Sequence, residues 1–387
     1  MQKQHRSLFS SPNVQNLVVI CRSLCLFLVC CVLLGLETTG YSAPQSSMTL
    51  DPPLNHLQFI GTHNSYHIAP PAKLRRLIEA AVPGQGEVLD YTHPPLAQQL
   101  DTGIRQIELD LYNDPHGGLY TDPLGLRLVG ESVPDTQGAM KTPGFKVLHS
   151  PDFDVLSTVP TLRGALAQLR TWSKAHPTHE PILVLLELKQ ESFSPRIQPP
   201  PFDGAALRAL ESEIRAEMPR EQLLTPDDVR GTFATLREAV TERGWPHLSQ
   251  TRGKFLFALD NEDATRDRYL ALSPHQDLQE RVCFVSVPPT HPAAAWMKRN
   301  DPQSQFDDIC SLVKAGFMVR TRADADLKEV LTNDRARFDK AAASGAQWIS
   351  TDAPEPNPRW PGYFVAWPHH ATFRLSPMWS GSPNPSR

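Results

Sequence analysis

The chain has 387 residues, 40% of them hydrophobic and 21% charged, the balance of an ordinary globular protein. That length accommodates one large α/β domain or two smaller ones. A net charge of −4 excludes the basic footprint of a nucleic-acid-binding protein, and no feature implies a protein partner.

The first 43 residues stand apart in composition. Lys3, Arg6 and Arg22 precede an uncharged apolar run over 23–36, which is short for a bilayer span. Gly40 and Ser42-Ala43 follow. The pattern is that of a secretory signal peptide over residues 1–43, cleaved near Ala43, and it predicts a secreted or periplasmic protein. The competing reading is an uncleaved membrane anchor beginning near Leu17, which Arg22 interrupts. Cleavage would leave only Cys283 and Cys310 of the 6 cysteines, enough for one disulfide and too few for a disulfide scaffold. Neither has a metal-ligating neighbour, so zinc is not expected.

From residue 51 strands and helices alternate. Residues 57–61 read as a short buried strand, and 94–102 as a helix closed by Gly103. A second strand spans 104–112. Residues 113–144 are rich in Gly, Pro and Asp and read as a long loop. Residues 146–149 form a third predicted strand. Thr161 caps an amphipathic helix to His176, with Leu162, Leu166, Leu169 and Trp172 on one face. The near-continuous apolar run 182–188 is of the kind found in parallel sheets. Helices follow at 203–217 and from Thr225-Pro226, then strands at 255–260 and 282–287. A helix at 305–315, a strand at 317–321, a helix at 333–344 and a strand at 348–351 complete the series. Eight strands separated by helices predict a TIM-type (β/α)₈ barrel in a single domain over 44–353. The alternative is an open doubly wound sheet, against which stands the lack of a Gly-rich loop after the first strand. Residues 354–387, rich in Pro and Trp, read as an irregular tail in which Trp360, Trp367 and Trp379 are loosely packed or touch lipid or sugar.

Polar residues interrupt these apolar runs at five places: His63-Asn64, Glu108 with Asp110, His149, Glu187 with Lys189, and Arg320 with Arg322. A charge inside such a run is costly unless it is paired or metal-bound. Along a strand, positions i and i+2 project to the same side. Inward groups at the C-terminal strand ends of a barrel converge on its mouth. Asn64, Glu108, Asp110 and Glu187 would there offer an amide oxygen and three carboxylates, a donor set for Ca²⁺ or Mg²⁺. The alternative for Glu108 and Asp110 is ion pairing to Arg105 and a lysine. His63 and His149 fit acid–base roles beside such a cluster, or are structural histidines. Lys189, Arg320 and Arg322 are candidate holders of phosphoryl oxygens, or charge balance for the carboxylates. Asp260-Asn261 line the mouth or cap the next segment, and Asp152 and Asp154 read as an Asx turn. The absence of a G-x-S-x-G elbow argues against an acyl hydrolase of that type.

The ordered set H-N-S-Y-H, E-L-D, V-L-H-S-P and L-L-E-L-K resembles the phosphatidylinositol-specific phospholipase C superfamily, in particular its calcium-dependent, secreted bacterial branch. The likeness continues through G-W-P-H-L, R-G-K-F-L-F-A-L-D, V-R-T-R-A-D and S-G-A-Q-W-I-S-T-D, to about residue 353. It implies Ca²⁺ as cofactor, held by Asn64, Glu108, Asp110 and Glu187. It implies catalytic roles for His63 and His149 and a headgroup-facing Lys189. Such enzymes act on phospholipid at a membrane surface and cleave between glycerol and phosphate, with the inositol 2-hydroxyl as nucleophile. In this likeness His149 protonates the leaving oxygen, while His63 is either base or phosphate stabiliser. The 113–144 insertion departs from the family pattern and leaves headgroup preference open.

Two other functions remain to be weighed. A glycerophosphodiester phosphodiesterase-like enzyme would share the fold and a metal, but that family typically opens with His-Arg-Gly where this chain has His63-Asn64-Ser65. A non-catalytic secreted lipid- or sugar-binding barrel would be expected to have lost a matched residue, and none is lost.

Overall fold

The computed structural model describes residues 51–134, 138–192, 194 and 196–379, so the expected signal peptide lies outside the described residues. Its centre is a ring of parallel strands. In chain order these are β1 (Leu57–Thr62), β2 (Gln106–Tyr112), β4 (Ile182–Lys189), β5 (Phe255–Leu259), β6 (Cys283–Val285), β7 (Trp296–Lys298), β8 (Met318–Arg322) and β9 (Trp348–Thr351). Their spatial order is β6-β5-β4-β2-β1-β9-β8-β7. A single parallel bridge, Ser286 to Trp296, joins β6 to β7 and brings the ring to near closure. This is the expected eight-stranded barrel.

Two strands differ from the sequence expectation. The expected third barrel strand is only Lys146–Val147 (β3), and it runs antiparallel on Tyr112 and Leu111 at the end of β2. It is a return of the long insertion and not a crossover strand, so His149 sits on a loop. The missing barrel strand is β7, whose three residues are too few to show a period.

Two of the longest helices between the strands begin at capping side chains. Thr161 Oγ1 accepts from Gly164 N at the start of Leu162–Ala175, and Asp203 Oδ1 accepts from Ala205 N and Ala206 N before Gly204–Glu217. The 113–144 insertion is not wholly irregular; it carries a short helix, Leu124–Leu128. β1 and β2 are buried throughout, as parallel strands covered on both faces are. Gly61 is required where β1 meets β2, because a Cβ there would lie 2.4 Å from the Cβ of Gln106.

The C-terminal segment is packed, contrary to the expectation of a loose tail. Phe373–Leu375 (β10) pairs antiparallel with β1, and Tyr363, Val365 and Trp367 join the main hydrophobic core. The Arg374 guanidinium stacks 4.0 Å from the centre of the Trp367 ring. Apolar surface removed from water, together with the β10–β1 pairing, holds this segment. Cys283 and Cys310 are both free and buried, so the possible disulfide does not form. Among the described residues no helix is long and apolar enough to cross a membrane.

Candidate active site

The exits of β1, β2 and β4 are tied together by short polar contacts. Ser65, just past β1, donates its N–H to the Glu108 carbonyl (3.0 Å) and accepts the Glu108 N–H on Oγ (2.8 Å). Gln99 spans the turn, accepting from Thr62 Oγ1 and donating to the Ser65 carbonyl. Asn64 between them has φ +46°, a left-handed conformation that asparagine tolerates better than most residues. Strand register then sets Asp110 directly opposite Glu187, and Tyr112 opposite Lys189.

Carboxylate oxygens of Glu108, Asp110 and Glu187 come within 4.8 Å of one another. Burial, reinforced by neighbouring carboxylates, pushes Glu108 up to about 8 and Glu187 to about 7, against the pull of Arg320 on the first and Lys189 on the second. The buried oxygens Asn64 Oδ1 and Asp110 Oδ1 have no hydrogen-bond partner among the described residues. Such orphaned acceptors in an oxygen-only cluster match a hard cation's ligands. Glu108, Asp110 and Glu187 therefore have the chemistry to hold calcium, and the amide oxygen of Asn64 is a further buried acceptor.

Cations of the chain meet the same carboxylates. Lys189 Nζ lies 3.1 Å from Asp110 and 3.5 Å from Glu187, and Arg320 lies 2.6 Å from Glu108. Arg320 is enclosed, donating also to Asn300 Oδ1. Arg105 pairs with Glu180 (3.1 Å), so it does not balance Glu108. Asp260 is held by Lys298 (2.8 Å), a residue of β7.

The histidines each have a carboxylate behind them. His63 Nδ1 lies 2.7 Å from Asp352 Oδ1, and its Nε2 is 3.8 Å from Glu108. Arg322 sits alongside, 3.2 Å from the other Asp352 oxygen and 3.3 Å from His63 Nδ1. Burial first, then the charge of Arg322, lowers His63 to about 4 despite Asp352. His149 Nδ1 lies 2.8 Å from Asp154 Oδ2. Burial pulls His149 down, but the hydrogen bond and charge of Asp154 outweigh it and the net direction is upward. Asp154 is thus an orienting carboxylate and not merely a turn residue. Asp352 closes the S-G-A-Q-W-I-S-T-D stretch and Asp154 reads as a turn residue, and in neither case does the sequence point to a histidine partner.

The sequence model of the calcium-dependent phosphoinositide phospholipase C family matches residues 53–377. The chain belongs to that family. It is a calcium-dependent phosphoric diester hydrolase of phospholipase C type, which removes the glycerophosphodiesterase and non-catalytic alternatives. Among solved structures, it is similar to the calcium-dependent phosphoinositol-specific phospholipase C of a Gram-negative Pseudomonas species. The TM-score is 0.52 and the identity 14%, over 84% of this chain and 95% of that one. The Ca²⁺-dependent phosphatidylinositol-specific phospholipase C of Streptomyces antibioticus gives a TM-score of 0.51 and 19% identity, over 78% of this chain and 94% of that one. At these identities the likeness establishes the fold. No curated protein matches the chain. In this phospholipase C the family match extends beyond the barrel's last strand into the packed C-terminal segment, through β10.

Proposed function

We propose that this phospholipase C cleaves phosphatidylinositol-type lipids by attack of a headgroup hydroxyl on phosphorus, with His63 as base and His149 as acid. The observation that carries the assignment is the opposed environment of the two rings. With its Nδ1–H held by Asp352, a neutral His63 turns the lone pair of Nε2 away, able to take the hydroxyl proton. Asp154 keeps a proton on His149, ready for the leaving glycerol oxygen. Two titratable groups pushed in opposite directions are the signature of an acid–base pair. His149 is also the more open of the two, with 32% of its side chain exposed against 20% for His63.

In the proposed step the hydroxyl oxygen bonds to phosphorus as the bond between phosphorus and the glycerol oxygen breaks. One proton passes to His63 and one leaves His149, giving a cyclic phosphodiester and diacylglycerol. Holding hydroxyl and phosphorus in one molecule gives a large effective molarity. Lys189, paired with Asp110, and Arg322, paired with Asp352, would turn their remaining donors to phosphoryl oxygens, while Arg320 holds Glu108 in place. Calcium held by Asn64, Glu108, Asp110 and Glu187 would lower the pKa of the nucleophilic hydroxyl and offset phosphoryl charge. Phosphorus NMR of a reaction on phosphatidylinositol tests the route: a cyclic inositol phosphate signal is expected. Direct appearance of the acyclic monoester would oppose it.

We also propose that residues 1–43 export the protein and that it meets lipid through segments leaving the C-terminal ends of β1 and β2. The support is the basic-then-apolar N-terminus together with exposed Leu77, Val82, Leu119 and Leu128 in those segments. N-terminal sequencing of the exported protein and vesicle co-sedimentation of L77S/L128S test the two parts.

A further inference from the structure

His67, the second histidine of H-N-S-Y-H, is fully buried and takes no direct part in the chemistry above. Its Nε2 lies 3.1 and 3.0 Å from the two oxygens of Asp154, and its Nδ1 lies 3.0 Å from the carbonyl of Tyr91. Nε2 faces a carboxylate, which only accepts, so the tautomer that serves this contact carries its proton on Nε2 and donates to Asp154. The ring is stacked on Tyr91, 4.3 Å between centres, and its plane is fixed. Asp154 Oδ2 therefore has two neighbours, His67 at 3.0 Å and His149 at 2.8 Å.

These contacts separate two jobs. Asp154 orients His149, but a lone carboxylate on a loop can rotate about its own χ angles. A second donor reaching both oxygens fixes the carboxylate plane, which in turn fixes where the His149 ring turns its Nε2. We infer that His67 is a positioning residue for proton delivery to the leaving group, acting through Asp154 on His149. The inference rests on the assignment of His149 as the acid.

The consequence is selective. A lipid alkoxide needs a proton to depart, whereas a phenolate does not. A defect confined to proton delivery therefore slows phosphatidylinositol and spares an inositol phosphodiester with a nitrophenyl leaving group. General structural damage slows both. Asparagine at position 67 is too short to reach Asp154, whereas the glutamine amide can place a donor near the position of Nε2.

The experiment measures kcat and KM of the full-length enzyme on both substrates with saturating calcium, together with calcium affinity and melting temperature. His149→Ala sets the reference, with a loss of about 100-fold on the lipid and little on the nitrophenyl ester. His67→Asn should lower kcat on the lipid about 10-fold or more, with KM, nitrophenyl turnover and calcium affinity nearly unchanged. His67→Gln should recover most of the lost lipid turnover. Equal losses on both substrates, unchanged lipid turnover in His67→Asn, or weakened calcium binding would each overturn the positioning role. If His67→Asn fails to fold, Asp154→Asn and His67→Gln decide: equal losses on both substrates in either one would overturn it. An unselective His149→Ala overturns the acid assignment itself, a result separable from failure of the His67 variants alone.

Discussion

His63 and Asp352 are 289 positions apart in sequence, yet Nδ1 of one lies 2.7 Å from Oδ1 of the other. Asp352 is itself gripped: its backbone N–H donates to Asp324 Oδ1 at 2.8 Å, and Arg322 donates to its free oxygen at 3.2 Å. Asp324 in turn accepts from the Tyr363 hydroxyl at 3.1 Å and from Thr351. The proposed base is thereby held by residues of β9, of the segment after β8 and of the packed C-terminal segment.

Asp352→Asn should preserve the shape of this contact while reversing its hydrogen-bond logic. An amide NH₂ facing Nδ1 would favour the tautomer that carries its proton on Nε2, where the base needs a lone pair. Turnover should fall roughly 10²- to 10⁴-fold, the range seen for general acid–base groups. Because the base is needed whatever departs, lipid and aryl substrates should suffer alike. A selective loss would place Asp352 on the acid side and refute the pairing.

Calcium binding should release protons at pH 7. Glu108, pushed to about 8, and Glu187, at about 7, are each partly protonated there without metal. A bound cation requires both as carboxylates, so protons leave as calcium enters. Apparent affinity should therefore rise from pH 6 toward pH 9. Titration calorimetry in buffers of different ionisation enthalpy reads the release directly; identical heats in all buffers would contradict it. Asp110→Asn should weaken calcium binding and reduce the rise in melting temperature that calcium confers.

What the sequence made legible was the set of charges that break apolar runs. Glu108, Asp110, Glu187 and Lys189 stand out because strands β2 and β4 are otherwise almost wholly apolar, and alternation says which of them share a face. Their partners were hidden. Asp154 lies in a P-D-F-D turn where aspartate is common for local reasons, and only the fold shows it facing two histidines. Asp352 closes the S-G-A-Q-W-I-S-T-D stretch with no role marked for it, and its partner His63 comes into reach only when β9 is set beside β1. The barrel was legible from alternation of elements, but β7 was not. Its three residues carry no period, and their place depends on pairing with β8 and on the bridge to Ser286.

Removing the C-terminal segment should unfold the barrel, not merely trim it. Trp367 is 4% exposed and packs on Phe338 with ring centres 5.9 Å apart. Trp367→Ala should cost about 3–5 kcal/mol, the range for truncating a buried aromatic. Urea denaturation followed by circular dichroism measures it. A variant ending at residue 353 that melts like the full chain would show the segment to be dispensable.

Lys189 gives the most direct test of whether chain cations and calcium share one set of carboxylates. Its ammonium lies between Asp110, which is fully buried, and Glu187, and their charges hold its pKa well above the usual range despite burial. Lys189→Met would leave those oxygens without their cation. In chelator the variant should lose about 1–3 kcal/mol of stability, as expected when a buried acceptor is stripped of its donor. The sign with pH follows from the carboxylate it compensates. A folded-state pKa raised to about 7, as for Glu187, means that deprotonation costs stability as pH rises through that value. Removing Lys189 should push that pKa further up, so the deficit should grow with pH and shrink under acid. Adding calcium should recover more stability in the variant than in the parent enzyme, because the ion replaces the missing charge. Thermal melts from pH 5 to pH 9, with calcium and with chelator, give the four comparisons. A deficit equal at all pH values and untouched by calcium would mean that Lys189 acts through packing of its stem and not through charge.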